Sequence, residues 1–443
     1  MTASTESPVR NSRQNTTDHA LRDVGMPHVR RASRPDRDAR AFLRILNLAT
    51  RLRPVEHYSL RQLREVWRLA SLALGEQPTV STVSEVVIDG PGGSIEMRIF
   101  RPDNTEQLLP AFLWFHGGGF VVGGLDSAES ICRSTAHNAH CISIAVRYRL
   151  APEHDLAAGR EDCLAALRWV AENGATLGID TSRLAIGGDS AGGNICAAVA
   201  QQALREGGPT LCLQVLAYPA TDLLQEFPSF VENAEGFMIT DKLLAQIKQT
   251  VAGSFESLDP QDPWLSPRRS SDLRGLPPAV MISAGFDPIR DDGLDYTSRL
   301  RAAGVAVELL HYAGQFHGFL NFDAVIGAGG DALQRIGDAL AAAFRDEPAP
   351  DSTLEITDET PRRSSRLCAA AGELTTSGLM TWVATERWGG TLLRQVSPLS
   401  ASAAGLVLQP LSAPLRLLRR RLIARLNRRS AQQSYPNSQL TGE

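Results

Sequence analysis

Short apolar runs alternate with amphipathic stretches through the middle of this chain, and that alternation narrows the folds open to it. The apolar runs are Ala111–Phe115, Ile142–Val146, Leu184–Ile186, Leu213–Ala217, Val280–Ser283 and Ala306–Leu310. Stretches with helical spacing lie between or after them, near 126–138, 160–174, 191–205, 291–303 and 331–345. Fully apolar strands separated by helices predict a mostly parallel sheet covered on both faces. Two more strands, Val80–Ile88 and Ile95–Phe100, flank the turn signal Asp89-Gly90-Pro91-Gly92-Gly93 and predict an opening hairpin. The expected fold class is therefore α/β, with a central sheet of about eight strands. Phe42, Leu43, Ile45 and Leu46 open one amphipathic stretch before the sheet, and Leu60, Leu63, Trp67 and Leu72 mark a second. The connection from Pro219 to Leu276 holds no strand but has a helix-like stretch near 241–253. An insertion of that length between two strands predicts a cap over the active face.

Composition excludes several classes. Of 443 residues, 43% are hydrophobic and 21% charged, as in an ordinary globular protein. The net charge of -4 argues against nucleic acid as a partner. Arginine far outnumbers lysine, which occurs only at Lys242 and Lys248. Codon bias accounts for that, so arginine content is poor evidence of phosphate binding. The six cysteines form no C-x-x-C pair and read as buried free thiols of a reducing compartment. No apolar run has the length of a membrane span, and the N-terminus lacks a signal-peptide pattern. A cytoplasmic protein is the expectation.

The segment Leu184-Ala185-Ile186-Gly187-Gly188-Asp189-Ser190-Ala191-Gly192-Gly193-Asn194 contains G-x-S-x-G between an apolar strand and a helical run. That is the context of a nucleophile elbow. Gly188 and Gly192 remove side chains that would clash in so sharp a turn, which leaves Ser190 strained at its tip. Upstream, His116-Gly117-Gly118-Gly119-Phe120 follows the strand Ala111–Phe115. Consecutive glycines let backbone amides point at a developing oxyanion. The predicted oxyanion hole is the amides of Gly117, Gly118 and Ala191.

A serine nucleophile needs a base, and the base needs an orienting carboxylate. In a fold of this kind both follow the serine, acid first, each just past a strand. Asp287 follows Val280–Ser283, and His317 follows Ala306–Leu310. Asp291 and Asp292 are rivals, but they begin the next helix, where carboxylates favour the dipole. His311 is another, but it lies at the end of the strand itself.

Taken together, these residues resemble the hormone-sensitive-lipase family of α/β-hydrolases, which includes many bacterial esterases. The matching segments are His116-Gly117-Gly118-Gly119, Tyr148-Arg149-Leu150-Ala151-Pro152-Glu153, Gly188-Asp189-Ser190-Ala191-Gly192, Asp287-Pro288 and His317-Gly318-Phe319, over about residues 40–346. The resemblance implies an α/β-hydrolase fold over 37–346, with a helical cap from about 37–76 and 222–268. It implies Ser190, Asp287 and His317 as triad, esters of short to medium acyl chains as substrates, and neither cofactor nor metal. His116, Gly119, Asp189 and Tyr148 are expected to brace the site. It also implies a homodimer as the assembly to expect. Two other functions share the motifs: a lipase or amidase on the same triad, and a non-catalytic ligand receptor of the same fold. The presence of His317 speaks against the receptor.

The ends fall outside the resemblance. Residues 1–36 are polar and predict a disordered segment, and 347–365 read as a Pro-rich linker to an extension over 366–443. Within 411–429, Leu411, Leu415, Leu418, Leu422 and Leu426 fall on one helical face, and seven arginines lie between 416 and 429. Such a basic amphipathic helix either meets an anionic membrane or packs on the acidic body of the enzyme.

Overall fold

The computed structural model describes residues 25–358. Among the described residues nine strands form one sheet, in the order β1-β2-β4-β3-β5-β6-β7-β8-β9. The hairpin β1 (Thr82–Gly90) and β2 (Gly93–Arg101) is antiparallel, as is the pairing of β2 with β4 (Ile142–Arg147). From there the sheet is parallel: β3 (Leu109–Phe115), β5 (Ile179–Asp189), β6 (Leu211–Ala217), β7 (Ala279–Phe286), β8 (Val307–Phe316) and β9 (Ser352–Ile356).

Alternation along the strands divides the core in two. Ala111, Leu113 and Phe115 of β3 face the cluster that holds α4 (Leu156–Asn173), α5 (Ala191–Arg205) and α8 (Arg290–Ala302). Phe112 and Trp114 face the other side, with α3 (Leu125–Ala139) and α9 (Gly327–Ala343). A strand buried on both faces must be apolar at every position, and every residue of β3 is buried. The chain leaves β3 for β4 on one side and later returns to β5 on the other. The carboxyl ends of β3 and β5 therefore flank a crevice where the strand order switches, the usual ligand position in open α/β sheets.

Above that crevice lie α1 (Arg37–Leu52), α2 (Leu60–Leu74), α6 (Pro228–Glu232) and α7 (Asp241–Val251). Ser59 caps α2 by accepting from the Gln62 amide, while the Gln62 side chain accepts from the Ser59 amide. Thr240 caps α7 in the same way through the Leu243 amide. The stretch between β6 and β7 holds no strand, as its sequence predicts.

Two expectations for the ends of the domain need correction. Residues 25–36 are ordered against the sheet: the amides of Ala32 and Asp36 donate to the carbonyls of Ala313 and Gly314 at 3.0 and 2.8 Å. Residues 352–356, read as linker, form a ninth strand on β8. The two segments also meet each other, through Arg30 N to Glu355 Oε2 and Arg37 N to Asp358 Oδ2, both 3.0 Å. The physical reason is the edge of β8, whose open backbone groups need partners. Polar side chains do not prevent a segment from supplying main-chain partners. Residues 1–24, the end of the linker at 359–365 and the extension 366–443, with the helix expected at 411–429, lie outside the described residues.

Arg301 clamps β9 in place. It donates to Asp351, to the Thr353 hydroxyl and to the Ser352 carbonyl, and also to the Val307 carbonyl of β8. Arg301→Ala is expected to accelerate amide exchange of residues 352–356 by about tenfold or more, the equivalent of one charge-assisted hydrogen bond. Hydrogen exchange read by mass spectrometry checks this, with β3 and β5 unchanged as the internal control.

Candidate active site

β5 ends at Asp189 and α5 begins at Ala191, so the whole reversal is made at Ser190. Its backbone sits at φ 55° and ψ -118°, a region that side-chain-bearing residues rarely adopt. Close approach makes glycine necessary on both sides. A Cβ on Gly188 would lie 2.2 Å from the Gly192 carbonyl oxygen, and one on Gly192 would lie 1.9 Å from that of Phe115. The Ser190 amide donates to the Ala217 carbonyl at 2.9 Å, and the Ser190 carbonyl accepts from Asn194 N at 3.1 Å.

The other two predicted residues arrive from neighbouring strands. His317 follows the last residue of β8, and Asp287 follows the last residue of β7. His317 Nε2 is 2.8 Å from Ser190 Oγ, and His317 Nδ1 is 2.8 Å from Asp287 Oδ2. His317 is 3% exposed and Asp287 is fully buried, so water competes little for either contact. The free oxygen of the Asp287 carboxylate, Oδ1, accepts from Ile289 N at 2.9 Å. Asn233 Nδ2 holds the Asp287 carbonyl at 3.0 Å. The rival residues are occupied elsewhere. Asp292 accepts from Thr221 and from the Asp222 amide, Asp291 from the Ser229 amide, and His311 bridges Ser283 and the Arg30 carbonyl.

The glycine loop differs from expectation at one position. The Gly117 N–H donates to Asp189 Oδ1 at 2.7 Å, so it is already spent on a side chain. The reason is Asp189 itself, a carboxylate 3% exposed that needs donors. Its other oxygen takes Asn321 Nδ2 at 3.1 Å. Burial raises the Asp189 pKa, and the hydrogen bonds from Asn321 and Gly117 act against that rise. Gly118 and Gly119 adopt φ 125° and 61°. No acceptor for their N–H groups, or for that of Ala191, is found among the described residues. Ala191 opens α5, where the first amides have no intrahelical acceptor.

His116 and Tyr148 sit below this loop. Their rings stack at 4.3 Å, and the Tyr148 hydroxyl donates to the His116 carbonyl at 2.6 Å. Burial pushes the His116 pKa down to about 4, so it is a neutral ring near pH 7. The backbone it anchors is the start of the glycine loop.

Sequence reasoning missed three neighbours. Asn194 Nδ2 donates to the carbonyls of Ala220 and Leu265, which ties the serine helix to the loop after β6. The Tyr218 ring lies 4.8 Å from that of His317. From the cap, Ile247 packs on Gly119 so closely that a Cβ there would come within 2.8 Å of its Cδ1. Asn194 stands two residues past the serine motif and could have been found. Nothing in the sequence around Ile247 points to the loop it covers. A cleft of about 980 Å³ between α2 and β2 is a different place. None of Ser190, His317 and Asp287 lines it, and four of its five arginines, Arg64, Arg68, Arg98 and Arg147, are paired with carboxylates.

Among the described residues no group of His, Cys, Asp and Glu side chains has the arrangement of a metal site, and no helix is long and apolar enough to cross a membrane. Cys132, Cys141, Cys163, Cys196 and Cys212 are free thiols.

Known proteins are similar to this chain in sequence and fold. A family model described as alpha/beta hydrolase fold matches residues 112–321. Esterase LipI of Mycobacterium tuberculosis is 44% identical over 255 residues, which span 57% of this chain and 79% of that protein. Ethyl acetate hydrolase of Pseudomonas putida is 36% identical over 285 residues, 63% of this chain and 88% of that one. Among solved structures, an α/β hydrolase from the metagenome of Lake Arreo, Spain, superposes with a TM-score of 0.67 at 35% identity, covering 70% of this chain and 98% of its own. Shared fold, shared identity and the hydrogen-bonded Ser190, His317 and Asp287 agree: the chain belongs to the α/β-hydrolases, among the bacterial esterases related to hormone-sensitive lipase.

Proposed function

We propose that Ser190, His317 and Asp287 are the catalytic residues of this ester hydrolase and that they act through an acyl-enzyme on small-molecule carboxylic esters. The observation that carries the reading is the unbroken relay from Ser190 Oγ through His317 to Asp287, with both contacts at 2.8 Å. His317 Nε2 takes the Ser190 proton as Oγ attacks the ester carbonyl carbon. Asp287 Oδ2 accepts from Nδ1–H, which fixes the tautomer and stabilises the imidazolium. The alcohol leaves with the proton from His317. Water then repeats the sequence on the acyl-enzyme and releases the acid.

The oxyanion of each tetrahedral intermediate rests on the amides of Gly118, Gly119 and Ala191. Gly117 acts one step back, since its bond to Asp189 sets the direction of the loop. Each amide aimed at the oxyanion contributes about 3 kcal/mol to the transition state. His116, Tyr148 and Asp189 are positioning residues. The acyl chain is short, because the α7 side chain of Ile247 sits directly on Gly119 and closes the space beside the carbonyl. A reducing compartment suits the free thiols. Two assembly readings go with this function: a homodimer, as the family resemblance implies, and a peripheral contact between 411–429 and an anionic membrane.

Three measurements test the reading. Ser190→Ala is expected to lower kcat on p-nitrophenyl acetate by a factor of thousands or more; retention of even a tenth of the activity would remove Ser190 from the mechanism. Asp189→Asn replaces one acceptor oxygen with a donor that faces either Gly117 or Asn321. It is expected to lower kcat by about tenfold to a hundredfold, roughly one weakened oxyanion contact, with KM little changed. An effect confined to KM would mean that Asp189 does not position the loop. Ile247→Ala should move the best p-nitrophenyl ester from acetate or butyrate to a longer chain, and an unmoved chain-length profile would take Ile247 out of the acyl pocket.

A further inference from the structure

Taking a guanidinium out of water is costly unless an acid or a set of acceptors receives it. Arg160, near the start of α4, is fully buried. Among the described residues no carboxylate bonds to it: Asp155 and Asp262 act on it only through space. Both are spent on backbone, Asp155 on the Ala158 amide and Asp262 on the Trp264 amide, each at 2.9 Å. The other groups that act on it, Tyr148 and Cys163, are kept protonated by burial. Burial pushes the Arg160 pKa down to about 10, so it remains a cation near pH 7. A buried charge with no acid beside it needs another reason to be there.

Its contacts supply one. Arg160 donates to the Leu156 carbonyl one turn back, to Asn194 Oδ1 at 2.6 Å and to the Leu265 carbonyl at 3.3 Å. Its guanidinium carbon lies 5.0 Å from the centre of the Phe120 ring. Leu156 belongs to its own helix, and the other three do not. Asn194 is in the first turn of α5, the helix that Ala191 opens. Phe120 follows Gly119 and leaves the glycine loop at φ 64°. Leu265 lies between the cap helix α7 and β7, and its carbonyl also accepts from Asn194 Nδ2 at 2.9 Å. A planar fork of donors can hold such a divergent set at once, which a compact ammonium cannot.

We propose that Arg160 is a positioning residue that sets the distance between the two halves of the oxyanion hole. One half is the amides of Gly118 and Gly119, next to Phe120, and the other is the amide of Ala191, three residues before Asn194. The inference rests on the oxyanion assignment proposed above. Donors to an oxyanion are useful only when they are fixed before the charge appears. The pairing of β3 with β5 ends at Phe115 and Gly188, before either half begins. Beyond it, Asp189 holds the glycine loop at its start, through Gly117, and Arg160 meets it at its end, through Phe120. A loop held at both ends does not pivot. The Leu265 carbonyl brings the cap into the same junction, so a shift of the cap is felt at both halves. An acid on Arg160 would compete with Asn194 for the fork and place a negative charge behind the oxyanion.

The test compares Arg160→Met and Arg160→Lys with wild type in the full chain, with Ser190→Ala alongside. The readouts are kcat and KM on p-nitrophenyl acetate and inhibition by an alkyl trifluoromethyl ketone. Ser190 Oγ adds to the ketone carbonyl carbon, the serine proton passes to His317 and the carbonyl electron pair goes to the oxygen. Ketone affinity therefore reports the hole with an oxyanion in it. Arg160→Met is expected to lower kcat about tenfold to a hundredfold, the scale of a small misplacement in a site. It should weaken the ketone by a similar factor and leave KM within about twofold. Arg160→Lys keeps the charge but reaches fewer acceptors, so it should fall between Met and wild type. If Arg160→Met does not fold, the Lys variant decides: wild-type kcat and ketone affinity in it overturn the proposal. A lowered Tm with kcat and ketone inhibition unchanged overturns it too, since Arg160 would then serve the fold alone. Activity lost in Ser190→Ala but kept in Arg160→Met overturns this inference and leaves the function standing. Activity that survives in Ser190→Ala overturns both.

Discussion

The turn between β5 and α5 compresses a change of direction into one residue, and Ser190 takes the cost as a backbone at φ 55° and ψ -118°. Such a conformation costs on the order of 1–3 kcal/mol and persists only where the surroundings over-determine it. Here they do. β5 is pinned by β3 on one side and β6 on the other, and α5 is buried along most of its length. The Ser190 amide and carbonyl are both held, by Ala217 and Asn194. The strain lifts Oγ out of the backbone and leaves the first amides of α5 pointing the same way. His317, Asp287 and the glycine loop are arranged around a serine that cannot relax.

A second constraint joins three loops through one carboxylate. Asp189, adjacent to the serine, accepts from the glycine loop at Gly117 and from the segment after His317 at Asn321. A buried carboxylate left without donors would be expensive, so each loop is drawn toward it. Ser190, the glycine loop and the segment that carries His317 therefore share an anchor, and their relative positions move together. Tyr148 supports the same loop from below through the His116 carbonyl. A neutral His116 adds no charge beside the glycine loop.

Much of this was legible in the sequence because its causes are local. Each predicted strand overlaps an observed one, since strands buried on both faces are written as apolar runs. The strained serine announces itself through the glycines on either side. Asp287 and His317 are expected from their order and their distance past a strand, and the structure hydrogen-bonds them in line with Ser190. What the sequence left unread depends on contacts made at long range. β8 runs on to Phe316 although its apolar pattern thins after Leu310, because Ala313 and Gly314 gain partners from residues 32 and 36. β9 has the alternation of a strand in Leu354 and Ile356, but the prolines and acids before it outweighed five residues. Gly117 was assigned to the oxyanion because nothing in its neighbourhood says that a carboxylate 72 positions later claims its amide.

The same division separates what is fixed in this enzyme from what can vary. The glycine loop, Ser190, Asp287 and His317 hang from the carboxyl ends of β3, β5, β7 and β8, and the sheet register sets their spacing. The cap helices α1, α2 and α7 are held less tightly: they are largely half-buried or exposed, and few residues of each are fully covered. A substitution at Ile247 changes one wall without disturbing a ladder hydrogen bond. A substitution at Gly188 or Gly192 moves the serine itself, because a methyl group there meets backbone. Relatives on this frame can therefore diverge in the esters they accept and in the surfaces they touch while the relay stays put. A function read from the frame alone stops at ester hydrolysis, and the substrate has to be read from the cap.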